Sequence, residues 1–211
     1  MLRRVAQALP LALPLSLAAT AASAHPHVIV SVKTVVVADA SGTIKALRHA
    51  WTFDEAFSTF STQGLDKNKD GKLDREELAE LAKVNVESLS EYGYFTDIKS
   101  GKTKAAFGPV QDYYLSHDGK ALTLHYTLPL APEAAQNLRE ARLSVDDPSY
   151  FVAFSLASDT PVSVEGPACK AKVKAPKAET TQRLSQLSEA DFASGKLGNA
   201  DWSSSISFEC P

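Results

Sequence analysis

Twelve consecutive residues, Asp66-Lys67-Asn68-Lys69-Asp70-Gly71-Lys72-Leu73-Asp74-Arg75-Glu76-Glu77, constrain this chain more than any other stretch. Side-chain oxygens recur at alternate positions, Asp66, Asn68 and Asp70, before a glycine that permits a sharp turn. Asp74 and Glu77 then bring two further carboxylates. A hard divalent cation such as calcium takes six to eight oxygens at ~2.3–2.6 Å, and this is the spacing of an EF-hand loop. Asp66, Asn68 and Asp70 are its expected side-chain ligands, and Lys72 adds a backbone carbonyl. Asp74 acts through water and Glu77 closes the site with both oxygens. Leu73 points inward between the loop and its two flanking helices. Lys67, Lys69 and Arg75 temper the four carboxylates, so the expected affinity is on the order of 10⁻⁵ to 10⁻³ M. Sensor hands come in pairs with methionine-rich grooves, whereas this chain has one hand and a single methionine. The ion is expected to be structural.

The amino terminus speaks to compartment. Arg3 and Arg4 precede an apolar run from Val5 to Ala19, and Ala22-Ser23-Ala24 follows as a small-residue cleavage pattern. That order describes a secretory signal peptide at 1–24, which leads to the periplasm. Its removal takes two arginines and no acid, leaving 187 residues with 20 basic and 25 acidic side chains, a net charge near −5. Such a surface excludes nucleic acid as a partner, and no later segment is apolar enough to span a bilayer. In an oxidising compartment Cys169 and Cys210, the chain's two cysteines, are most simply a disulfide.

Hydrophobic spacing predicts strands at both ends and one helical insert. Val28 to Val37 and Ile44 to Phe53 read as a hairpin about the turn Asp39-Ala40-Ser41-Gly42. Helices are predicted over Asp54 to Gly64, with Asp54 as N-cap, and over Arg75 to Tyr92, burying Leu78, Leu81 and Val84. Strand character returns at Tyr94 to Ile98, Ala106 to Ser116, Ala121 to Leu128, Arg142 to Val145, Tyr150 to Leu156, Pro161 to Val164 and Cys169 to Val173. The alternating lysines from Lys170 to Lys177 read as a solvated strand edge, and Glu179 to Leu187 as a short helix. The fold class is α+β: one domain over 25–211, a mainly antiparallel sheet or sandwich with an inserted EF-hand-like helix-loop-helix at about 54–92.

The histidines carry a second hypothesis. Cleavage after Ala24 makes His25 the new terminus, followed by Pro26 and His27. The α-amine and imidazole of His25, with His27 two residues on, form a chelate suited to copper, nickel or zinc. Pro26 has no amide proton to lose, so the arrangement resembles a histidine brace. His125, on the polar side of its strand, is a further candidate ligand. His49 shares a face with Leu47, Trp51 and Phe53 and reads as packed, and His117 as a solvated turn residue. No nucleophile elbow, phosphate loop or catalytic triad is present.

The order His25-Pro26-His27, Trp51-Thr52-Phe53-Asp54 and the calcium loop is joined by Leu124-His125-Tyr126-Thr127-Leu128-Pro129-Leu130, Asp147-Pro148-Ser149-Tyr150-Phe151 and Cys210. Together they resemble the bacterial family known as domain of unknown function 1007. The resemblance implies a periplasmic component of an ABC-type transport system, with a membrane permease as partner. Three functional readings stand at this stage. One is a calcium-holding metal-transport accessory with a transition-metal site at its terminus. Another is a calcium-stabilised protein-interaction module, and the third a copper redox enzyme.

Overall fold

Strand β1 (Val28–Ala38) turns back into β2 (Ile44–Phe53) in the register that pairs Val30 with Phe53 and Val36 with Leu47. The turn is closed by Asp39. Its Oδ1 accepts from the amides of Ser41 and Thr43 and from the Ser41 hydroxyl. These bonds, with Lys45 opposite, hold the carboxyl well below the usual range. The computed structural model of the chain describes residues 27–177, 179 and 203–211. The leader at 1–24, His25 and nearly all of the segment from Glu179 to Leu187 lie outside those residues.

Helix α1 (Glu55–Ser61) follows β2 directly, and α2 (Ala79–Glu91) comes after the acidic loop. The remaining strands are β3 (Thr96–Ser100), β4 (Thr103–Lys104), β5 (Gln111–His117), β6 (Leu122–Pro129) and β7 (Ala141–Val145). They are followed by β8 (Val152–Leu156), β9 (Val162–Glu165), β10 (Lys170–Lys174) and β11 (Ser205–Glu209). One sheet runs β5-β6-β2-β1-β8, with β9 also on β1; the other runs β10-β11-β7-β3-β4. Both sheets feed one hydrophobic core. Val32, Val36, Leu47 and Leu124 from the first meet Ile98, Leu143, Ile206 and Phe208 from the second, with Leu78 and Ala82 at the start of α2. The fold is mostly β, as expected, and the hairpins around Gly101 and His117 to Lys120 stand where the turn residues put them.

Several elements differ from the sequence expectation. The first sheet is mixed. β1 carries β8 and β9 end to end along one edge, both parallel to it. The chain jogs between them, with Ala157 N–H bonded to Val32 and Thr34 N–H to Pro161. β9 ends against β1 so closely that a Cβ at Gly166 (φ +126°) would stand 2.2 Å from the Ala38 carbonyl oxygen. Strand β11 went unforeseen. It pairs with β10, whose lysines do form a sheet edge, and Cys169 and Cys210 join in a disulfide beside that pair. The second helix begins at Ala79 rather than Arg75: Asp74 caps the amides of Glu76 and Glu77, but Ala79 N–H bonds back three residues to Glu76, so this first turn does not run on into α2. Its buried face is Leu78, Ala82 and Val86, while Val84 is exposed. A tight turn at Gly93–Phe95 replaces the expected strand start at Tyr94, and residues 106–110 lie outside β5.

Asp54 joins the helical insert to the sheet. Oδ1 accepts from Phe57 N–H at 2.8 Å and caps α1, while Oδ2 accepts from Ile29 N–H of β1 at 2.9 Å. Burial works against its ionisation, but these amide bonds outweigh it and hold the carboxyl below its ordinary value. The Asp54 carbonyl accepts from the Ser58 hydroxyl, whose oxygen in turn accepts from the buried Leu122 amide of β6. Asp54→Ala removes both carboxylate contacts and is expected to destabilise the fold by about 1–3 kcal/mol, with Asp54→Asn costing less. Urea unfolding at pH 7 checks this; an unchanged midpoint for the alanine variant contradicts it.

Candidate functional site

The acidic loop is built by its own side chains. Asp66 Oδ2 accepts from Gly71 N–H at 3.1 Å, Asn68 Oδ1 from Asp70 N–H at 2.9 Å and Asp70 Oδ1 from Lys72 N–H at 2.8 Å. Each oxygen-bearing residue thus holds an amide further along, which coils the backbone on itself. The coil needs left-handed conformations at Lys69 (φ +61°) and Gly71 (φ +79°). Glu77 reaches back across the ring: Oε1 accepts from Lys67 N–H at 2.7 Å and Asn68 N–H at 3.3 Å, and Oε2 from Asp74 N–H at 3.3 Å. Leu73 is partly buried and packs against the core. One buried oxygen of the loop is left over, since Asp66 Oδ1 has no hydrogen-bond partner. No three His, Cys, Asp or Glu side chains among the described residues stand close enough to hold a metal ion together. Glu77 occupies its oxygens with loop amides instead. The donors the loop offers are hard oxygens, and an orphaned carboxylate oxygen fits a cation that would satisfy it.

The loop is tied to the sheet by an aromatic stack. The Arg75 guanidinium lies 3.6 Å from the centre of the Tyr114 ring on β5. Tyr114 stacks on His125 of β6 at 4.5 Å, and His125 Nε2 hydrogen-bonds Ser116 Oγ at 3.0 Å. Partial burial and then the Arg75 charge lower the His125 pKa, which favours its neutral form. His27 lies elsewhere, its ring 4.5 Å from Phe151 and its amide bonded to the Phe151 carbonyl. His125 is opposite Ala50, and Ala50 opposite Lys33. At ~3.3 Å per residue along β1, that puts His27 about 20 Å from His125. The structure does not bring those two histidines together, and His25 lies outside the described residues.

Sequence reasoning missed a cavity of about 710 Å³ beside His27. Trp51, Phe53, Phe57, Phe95, Phe151 and Phe154 line it, roofed by α2 and by the turn from Asp147 to Ser149. Its only sequence trace is a run of aromatics that reads equally well as core. Behind it, His49, Trp51 and Tyr126 pack ring on ring, with centroids 5.0–5.7 Å apart. His49 Nδ1 is 3.0 Å from the Thr34 hydroxyl, while His49 Nε2 and the Trp51 indole nitrogen are buried without partners. Burial lowers the His49 pKa to about 3, so the imidazole is neutral and packed, as its strand position indicated.

The family described as "Protein of unknown function (DUF1007)" matches residues 11–209. The chain belongs to that family. An uncharacterized protein of Haemophilus influenzae is 25% identical to this DUF1007 protein over 139 residues, 66% of either chain. The match thus spans just under two thirds of that relative's length. Among the described residues of the DUF1007 chain, no helix is long and apolar enough to cross a membrane.

A histidine whose folded pKa lies below its unfolded value stabilises the fold above the unfolded value, near 6.5. That stability is lost as pH falls toward the folded value of about 3. His49 alone is expected to remove about 2 kcal/mol between pH 7 and pH 5. His49→Gln is expected to show a flatter pH dependence in urea unfolding. Identical slopes for the two proteins would sink this account.

Proposed function

We propose that this protein is a periplasmic, calcium-stabilised accessory of a metal-ion transport system, and that its acidic loop is an EF-hand-like site. The loop carries the reading. Asp66, Asn68, Asp70, the Lys72 carbonyl, Asp74 and Glu77 are the oxygen donors, and the buried Asp66 Oδ1 without a hydrogen-bond partner is the observation that favours a cation. Bound calcium would offset the mutual repulsion of four carboxylates and satisfy that oxygen. The role is structural: the loop joins α1 to α2, and α2 packs on β5. The leader pattern in the sequence at 1–24 and the family resemblance support the periplasmic assignment and a permease partner.

Calorimetric titration of the mature protein is expected to show one calcium site with a Kd on the order of 10⁻⁵ to 10⁻³ M. At calcium ten times the Kd, the fold gains about 1.4 kcal/mol. Glu77→Gln keeps an acceptor for the loop amides but is expected to weaken calcium binding by roughly tenfold or more. No heat and no thermal shift at 10 mM calcium would overturn the assignment.

The terminal chelate forms the second half of the proposal, with ligands from His25 and His27. His125 is left out of the set, since about 20 Å separates it from His27. Native mass spectrometry of the exported protein is expected to give a mass beginning at His25. It should also show one retained copper, nickel or zinc ion, lost in His27→Ala. A metal-free mass across all three metals would remove this half and leave the calcium reading intact.

A further inference from the structure

None of the loop's oxygen donors lines the aromatic cavity beside α2, and His27, stacked on Phe151, stands next to it but not among its lining residues. Its volume of about 710 Å³ falls within the range that small-molecule sites occupy. Trp51 and Phe154 meet edge to face at 4.9 Å and 62°, and Phe154 and Phe95 are tilted by 47° at 5.4 Å. Rings set at such angles wall a space rather than stacking into a slab. Tyr92, 63% exposed, and Phe151, 48% exposed, stand among the lining residues and mark the open side.

The charge of the lining narrows the occupant. Among the described residues no Lys, Arg or His lines the cavity, and the one carboxylate among them, Asp147, is 6% exposed. Asp147 accepts from the amides of Ser149 and Val152 and from the Ser149 hydroxyl. Among the described residues it has no ion-pair partner. A second cavity of about 400 Å³ shares Tyr92, Phe95, Asp147 and Pro148 with the first. It adds Asp97, Asp146 and Lys104, of which Asp97 pairs with Lys99 and Lys104. Asp147 stands where the two cavities meet, while Asp146 lines only the second, where burial raises its pKa. Aromatic faces attract cations through their quadrupoles, most strongly where water is excluded.

We propose that this cavity binds a small organic cation, its apolar body among the rings of Trp51, Phe95 and Phe154 and its ammonium group toward Asp147. A carboxylate of the same shape is disfavoured because the described lining residues offer it no cation and oppose it with a buried acid.

Three probes of matched shape test this by calorimetric titration of the mature protein: 4-phenylbutyltrimethylammonium, 4-phenylbutanol and 5-phenylpentanoate. The ammonium is expected to bind saturably and at least tenfold more tightly than the carboxylate, with the alcohol between them. Asp147→Asn is expected to remove most of the cation's advantage. Because Asp147 also holds its own turn, a second variant on the exposed face of α2 guards against misfolding. Ser88→Lys puts a positive charge on the lining and is expected to reverse the order of ammonium and carboxylate. Equal or tighter binding of the carboxylate by the unaltered protein overturns the proposal. So does the absence of saturable binding by any probe, or an order that Ser88→Lys leaves unchanged.

Discussion

The Asp54 carboxylate is the joint on which the rest of the molecule turns. One oxygen caps α1 through Phe57 N–H, and the other binds the Ile29 amide on β1. A neutral cap would serve the helix alone. A carboxylate has lone pairs enough for two amides, and charge-assisted bonds to both are stronger than neutral ones. Through the Ser58 hydroxyl the same joint reaches β6. The helical insert therefore leaves the sheet at a set angle, which places the acidic loop over β5 and α2 against the core.

From that joint the molecule divides into two chemical regions. On one side lies an oxygen-rich ring, closed by Glu77 and linked to β5 and β6 through Arg75, Tyr114 and His125. On the other lies an aromatic hollow between α2 and the start of β1, with a buried acid at its edge. Helix α2 belongs to both: its first residues follow the loop, and Asn85, Ser88 and Leu89 line the hollow. An ion that tightens the loop would also steady one wall of the hollow. The two regions differ in chemistry, oxygen lone pairs in one and ring faces in the other.

The β1–β2 hairpin, the Asp54 cap and the loop could be read from the residues because each depends on partners close in sequence. Asn68 bonds the amide two positions on, Asp54 the amide three on, and Asp39 those of Ser41 and Thr43. The buried His49 and the outward His125 followed from strand alternation, and the Cys169–Cys210 bridge from there being no other cysteine. The start of α2 lies four residues later than expected, since helical periodicity does not reveal that the Ala79 amide bonds Glu76 and breaks the first turn from the helix.

The chain by itself determined which short segments are strands, where the turns fall and what chemistry the acidic loop can offer. Tertiary structure alone decided that β8 and β9 run parallel along β1, because parallel pairing joins segments more than a hundred residues apart with no local turn to announce it. It also decided that Trp51, Phe95, Asp147 and Phe154 share one hollow, and that His27 and His125 do not share a site. Distances between residues remote in sequence follow from strand order, and strand order is settled by how a whole core packs.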